Sequence, residues 1–155
     1  PIFKKIDLIK TISTTINLLE VSDTATNINF SKSSSTHFIF ADEEQLNRVF
    51  INLIKNSIES INEIKTKNVD FKGKINIDIF EDKEYIYVNV LDNGVGFDLV
   101  DKAKMLTPYF TTKKSGTGLG LAIVTKIIND HNSLINFNSV KNGAKVNITI
   151  PKYYG

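Results

Sequence analysis

The chain has 155 residues, 41% hydrophobic and 23% charged, which suits one domain with a core of its own. Nineteen basic residues against seventeen acidic leave a formal charge of +2, too small to mark a nucleic-acid or membrane-surface binder on electrostatics. Cysteine is absent, which excludes disulfides and thiolate metal sites, and no apolar run reaches the roughly 18–20 residues that span a bilayer.

The chain opens at Pro1 on lysine-rich text without a signal-peptide pattern, and reads as a piece of a longer protein. Ile6, Ile9, Ile12, Ile16 and Leu19 recur at helical spacing and predict an amphipathic helix over residues 6–20. Strands are expected near 26–30 and 37–41, with a serine-rich turn at 31–35 between them. Asp42, with Gln45 three residues on, reads as an N-cap and capping box that opens a helix running to about residue 64. Ile75, Ile77 and Ile79 alternate, and so do Ile86, Val88 and Val90, which predicts a hairpin of strands 74–80 and 85–91. A loop-rich stretch over 92–117 leads to a helix over 118–130. Strands over 134–139 and 144–150 then turn at Asn142-Gly143. Strands arriving mostly in antiparallel pairs predict an α/β fold: a two-layer sandwich with a mixed, mostly antiparallel sheet and helices on one face. No repeat or linker divides the chain, so residues 1–155 read as one domain.

On the helix over 43–62, at about 100° per residue, Leu46, Val49, Phe50, Leu53, Ile54, Ile58 and Ile61 fall in one arc, which packs on the sheet. Arg48, Asn52, Lys55, Asn56 and Glu59 fall in the other, with Asn52 and Asn56 one turn apart. A solvated polar face accounts for this arc by itself. Yet asparagine is a mediocre helix former, and an amide oxygen is a hard neutral ligand suited to Mg²⁺ that carries phosphate oxygens.

Five of the eight glycines lie between positions 94 and 120. Asp92-Asn93-Gly94-Val95-Gly96 follows an alternating strand, so Asp92 stands at a strand end. An ordinary turn explains that segment alone. Gly116-Thr117-Gly118-Leu119-Gly120-Leu121 leads directly into an apolar helix, and a glycine-rich approach to a helix N-terminus offers free N–H groups and the positive end of the dipole to phosphate. Between the two runs 107–115, with Pro108, Tyr109, Phe110, Thr111, Thr112, Lys113 and Lys114. Its lysines suit a polyphosphate, or equally a solvated surface loop. Neither the dinucleotide fingerprint nor a Walker loop is present.

In this order, the asparagine helix, Asp-x-Gly-x-Gly, the Tyr-Phe-Thr-Thr-Lys segment and Gly-Thr-Gly-Leu-Gly-Leu resemble the N box, first glycine box, F box and second glycine box of bacterial sensor histidine kinases. The resemblance covers nearly the whole chain as their catalytic ATP-binding domain. Its flavour, from residues 109–113, is similar to the nitrogen-regulation subgroup. It implies the Bergerat sandwich shared with gyrase and MutL, with ATP and Mg²⁺ as cofactors. By the same resemblance Asn56 coordinates Mg²⁺ and Asn52 supports the phosphates. Asp92 accepts the adenine amine, while Gly94 and Gly96 admit the nucleotide. Residues 98–115 form a lid anchored by Phe110, with Thr112 and Lys113 on the nucleotide, and Lys113 joins Asn52 and Asn56 as a catalytic residue. Gly116, Thr117, Gly118, Leu119 and Gly120 shape the phosphate end.

Two departures stand out. Hydrolytic relatives carry Glu four residues before the metal asparagine, where this chain has Asn52, which argues against an ATPase. Many relatives have Gly-Thr where this chain has Gly143-Ala144. His37 and His131 lie outside any phosphoacceptor context. The resemblance therefore implies an acceptor histidine on the parent's dimerisation domain, a response regulator as onward partner, no nucleic-acid partner, and no membrane contact by this piece. It also implies a cytoplasmic location, for a parent that is either free or anchored in the inner membrane.

Overall fold

The computed structural model describes residues 1–22, 26–97 and 120–155. Strand β1 (Phe3–Asp7) leads into helix α1 (Leu8–Ser22), and β2 (Asn27–Lys32) and β3 (Phe38–Asp42) precede α2 (Glu43–Lys65). Strands β4 (Lys74–Glu81) and β5 (Tyr85–Asp92) form the first hairpin. Helix α3 (Gly120–Asp130) is followed by the second hairpin, β6 (Leu134–Val140) and β7 (Gly143–Pro151).

The main sheet has the order β2-β4-β5-β7-β6. Its β2–β4 pair is parallel and its other pairs are antiparallel. Strands β1 and β3 form a separate antiparallel pair. The period of two decides which face is covered. Ile75, Ile77 and Ile79 of β4, Ile86, Val88 and Val90 of β5, and Val146, Ile148 and Ile150 of β7 are buried in one cluster with Val49, Phe50, Leu53 and Ile54 of α2. Each such side chain contributes about 1.5–3 kcal/mol on burial. The opposite face is polar at its centre. There Asn29 donates to Asn76 at 3.2 Å, Asn147 to Asn89 at 2.5 Å, and Asn138 to Asn147 at 3.3 Å.

The expected sandwich is therefore present, with three local differences. The first helix starts at Leu8 rather than Ile6, because Asp7 caps it: its Oδ1 accepts the Ile9 N–H at 3.1 Å. Ile6 belongs to β1, a strand that the apolar spacing does not predict, and pairs with Ile39. In the last hairpin Val140 pairs with Gly143, so the turn is Lys141-Asn142, and Asn142 takes the left-handed conformation (φ 60°) that asparagine tolerates. The cap of α2 is as expected. Asp42 is extended (φ −86°, ψ 115°), and its Oδ1 accepts the Gln45 N–H at 3.0 Å.

Candidate functional site

Helix α2 is the spine of the site. Its buried stripe on the core fixes its rotation, which leaves Asn52 and Asn56 half-buried beside that stripe, one turn apart. Gly120, the first residue of α3, stands close by: a Cβ added there would lie 4.0 Å from the Asn52 Oδ1. The amide side chain of Asn52 thus neighbours the positive end of the α3 dipole. Amide oxygens are neutral donors, and among the described residues no group of three or more His, Cys, Asp or Glu could hold a metal. A magnesium ion here would take one amide and rely on phosphate oxygens for the rest, which suits its preference for substrate ligands.

The other end of the site is the turn after β5. Asp92 is buried, and its Oδ1 accepts the Gly94 N–H at 2.9 Å. Asn93 holds the turn to the start of β4, where its Oδ1 accepts the Lys74 N–H at 2.8 Å and its Nδ2 donates to the Lys72 carbonyl at 2.9 Å. Gly96 has φ +78°, and a Cβ on it would meet the Gly143 carbonyl oxygen at 2.6 Å, so glycine is required there on two counts. Ser139 of β6 closes the turn: its Oγ accepts the Phe97 N–H at 2.9 Å and donates back to the Phe97 carbonyl. The Phe97 ring meets Phe137 edge-on, with centroids 5.9 Å apart.

Of the residues singled out in the sequence, Asn52 and Gly120 come together at one end of the site, and Asp92, Gly94 and Gly96 gather at the other, with Asn56 on the helix between. Phe110, Thr112, Lys113, Gly116, Thr117, Gly118 and Leu119 lie outside the described residues. Sequence reasoning did not single out Ser60, whose Oγ accepts the Val95 N–H at 2.9 Å, or Ser139. Ser60 continues the i, i+4 series of Asn52 and Asn56, a signal visible in the spacing. Ser139 becomes visible only once β6 is paired with β7.

The two histidines are structural. His131 follows α3, where its Nδ1 donates to the Ile127 carbonyl at 2.7 Å and its Nε2 accepts the Asp42 N–H at 3.1 Å. His37 is buried ahead of β3, with Nδ1 3.0 Å from Glu81 and Nε2 3.4 Å from the Ser33 hydroxyl.

The family model of histidine kinase-, DNA gyrase B- and HSP90-like ATPases matches residues 41–154. The chain belongs to this family. Sporulation kinase B of Bacillus subtilis is 38% identical to this ATPase-family chain over 114 residues, which are 73% of this chain and 25% of the relative. Nitrogen regulation protein NtrY of Azorhizobium caulinodans is 34% identical over 102 residues, 66% of this chain and 13% of NtrY. The catalytic domain of the histidine kinase ThkA, solved free of nucleotide, superposes with a TM-score of 0.85 at 30% identity, covering 98% of this chain and 97% of that one. A structure of ThkA in complex with the response regulator TrrA gives a TM-score of 0.80 at 27% identity, over 97% of this chain and 42% of that one. The family match begins at residue 41, but the ThkA superposition takes in β1, α1 and β2 as well. The chain spans a quarter or less of the length of these two kinase and regulatory relatives. Among its described residues no helix is long and apolar enough to cross a membrane.

Proposed function

We propose that this chain is the ATP-binding half of a sensor kinase, which binds Mg-ATP in the cytoplasm and passes the γ-phosphoryl group to a histidine on the parent's own dimerisation domain, for onward use by a response regulator. The P–O bond to ADP breaks, a P–N bond to the imidazole forms, and ADP leaves. A neutral imidazole is already a nucleophile, so this chain supplies positioning and charge neutralisation rather than base catalysis. Asn56 holds the magnesium, which when bound neutralises phosphate charge, and Asn52 supports the phosphates. Asp92 accepts the adenine amine, with Gly94 and Gly96 giving the base its approach. Phe110, Thr112, Lys113, Gly116, Thr117, Gly118, Leu119 and Gly120 complete the phosphate end, with Lys113 opposite the γ-phosphate.

One observation carries the reading: α2 reaches a glycine of each motif, with Asn52 near Gly120 at one end of the site and Ser60 against Gly94 at the other. At about 1.5 Å per residue, the eight-residue interval gives about 12 Å between the two ends. Asn52 also disfavours hydrolysis as the main activity, since an amide cannot take a proton from attacking water as a carboxylate does. The test is Asn56→Ala with a supplied dimerisation domain as acceptor. Phosphotransfer from Mg-ATP is expected to fall to background while circular dichroism stays unchanged, and a variant with wild-type transfer would overturn the assignment.

A further inference from the structure

We infer that Ser60 is a positioning residue of the nucleotide site: its hydroxyl pins the 93–97 turn to α2 and so sets the base-reading carboxylate of Asp92 at a fixed distance from Asn56. This inference rests on the nucleotide reading above and adds to it a residue that selects the base.

The argument starts from the bond itself. Ser60 Oγ accepts the Val95 N–H at 2.9 Å, across 35 positions of sequence. The turn is pressed onto the helix at that point, since a Cβ on Gly94 would stand 2.8 Å from the Ser60 carbonyl carbon. Gly94 in turn donates its N–H to Asp92 Oδ1 at 2.9 Å. A chain of two bonds therefore runs from α2 through Val95 and Gly94 to the carboxylate. The same helix carries Asn52, Asn56 and Ser60 on successive turns, about 6 Å apart along the axis. A helix is stiff on this scale, so the phosphate side and the base side of the site share one ruler.

The exposure of Val95 decides what the bond is for. Val95 is 54% exposed, so water can satisfy its N–H when the serine hydroxyl is gone. Losing the bond then frees the turn without leaving a buried group unpaired, and the cost falls on geometry rather than on folding. A mid-helix serine is itself a mild liability, because its hydroxyl competes for local backbone bonds. Here that hydroxyl is committed to another element.

The experiment is calorimetric titration of the purified chain with Mg-ATP and Mg-GTP, for wild type, Ser60→Ala and Ser60→Thr, with thermal midpoints measured alongside. Ser60→Ala is expected to weaken ATP binding by about three- to tenfold, the factor of a lost net hydrogen bond. GTP, which does not satisfy Asp92, should weaken by less than about twofold by the same arithmetic. Ser60→Thr keeps the hydroxyl and should restore most of the ATP affinity. The inference is overturned by unchanged ATP affinity in Ser60→Ala, by equal losses for ATP and GTP, or by a large drop in thermal midpoint, which would make the bond a structural one. A wild-type chain that takes up no ATP would instead overturn the nucleotide reading, a failure distinct from the other three.

Discussion

Asp92 shows how one side chain is set by its neighbours. It ends β5, pairs in register with Ala144 of β7, and Ala144 in turn pairs with Ser139 of β6. Residue 144, where the sequence resemblance leads one to expect a threonine, is a buried alanine. The hydroxyl in this row comes instead from Ser139, one strand further out, and is spent on the Phe97 backbone. Gly143 closes the row from above: a Cβ there would lie 2.9 Å from the Asp92 carbonyl carbon and nearer still to its oxygen. Because the obstacle is backbone, Gly143→Ala is expected to cost about 1–3 kcal/mol, the usual penalty for overpacking. Denaturant unfolding measures it, and an unchanged midpoint would show that the two strands part freely. For Asp92 the expectation concerns the ligand. Facing guanine, its carboxylate meets an acceptor oxygen where adenine offers a donor. An unmet bond costs about 1–3 kcal/mol, roughly ten- to hundredfold in affinity. Asp92→Ala should therefore bind ATP that much more weakly and lose its preference over GTP, and equal ATP and GTP binding by the wild type would remove Asp92 from the base.

At the scale of elements, α2 depends on its first residues. The Asp42 carboxylate accepts N–H groups from Gln45 at 3.0 Å and from Ile2 at 2.7 Å, and these bonds, Gln45 first, hold its pKa below the ordinary carboxylate range. A depressed carboxylate lends stability that is complete above its unfolded value, about 3.9, and is lost as pH falls through the folded one. Asp42→Asn should therefore be less stable than wild type at neutral pH, and the gap should close below about pH 4. Urea midpoints across pH 2–7 would test this, and a gap that persists undiminished in acid would exclude the cap as its source. Such caps are legible in sequence because their signal is local: Asp42 with Gln45, the stripe of α2 and the two hairpins all lie within a few residues of their partners. Strand β1 is not legible, because Lys4 and Lys5 are both exposed and break the alternation, while Ile6 falls on the helical spacing of Ile9 and Ile12. Asp7, which caps α1 in the fold, falls inside the apolar spacing that predicts the helix and so gives no sign of its role. The parallel β2–β4 pair is hidden for a different reason: Asn29 and Asn76 meet across 47 positions. In the site, the asparagines and glycines announced themselves because their residue types are unusual where they stand. Serines are not unusual anywhere: Ser60 is marked only by its place four residues after Asn56, and Ser139 emerges only when the folded chain brings it to the turn.

For the molecule as a whole, the question is whether it can phosphorylate itself, and burial answers it. His37 is 2% exposed and His131 8%. Both ring nitrogens of His131 are engaged, one with a carbonyl of α3 and one with the Asp42 N–H. The ring of His37 faces Glu81, and its backbone N–H is held by Asp7 Oδ1 at 3.2 Å. A phosphoryl group on His37 would set buried negative charge beside a carboxylate, and unpaired buried charge costs several kcal/mol or more. Either histidine could attack ATP only after the packing around it opened. On the proposed function the chain is therefore expected to act as a donor without an acceptor, with Asn52 ill suited to activating water. Incubated alone with Mg-ATP labelled in the γ-phosphate, it should stay unlabelled and release little free phosphate, whereas adding the dimerisation domain should move label onto that domain. Label retained on His37 or His131 would mean that one of these two packed rings opens in solution, and steady release of free phosphate would return hydrolysis to first place.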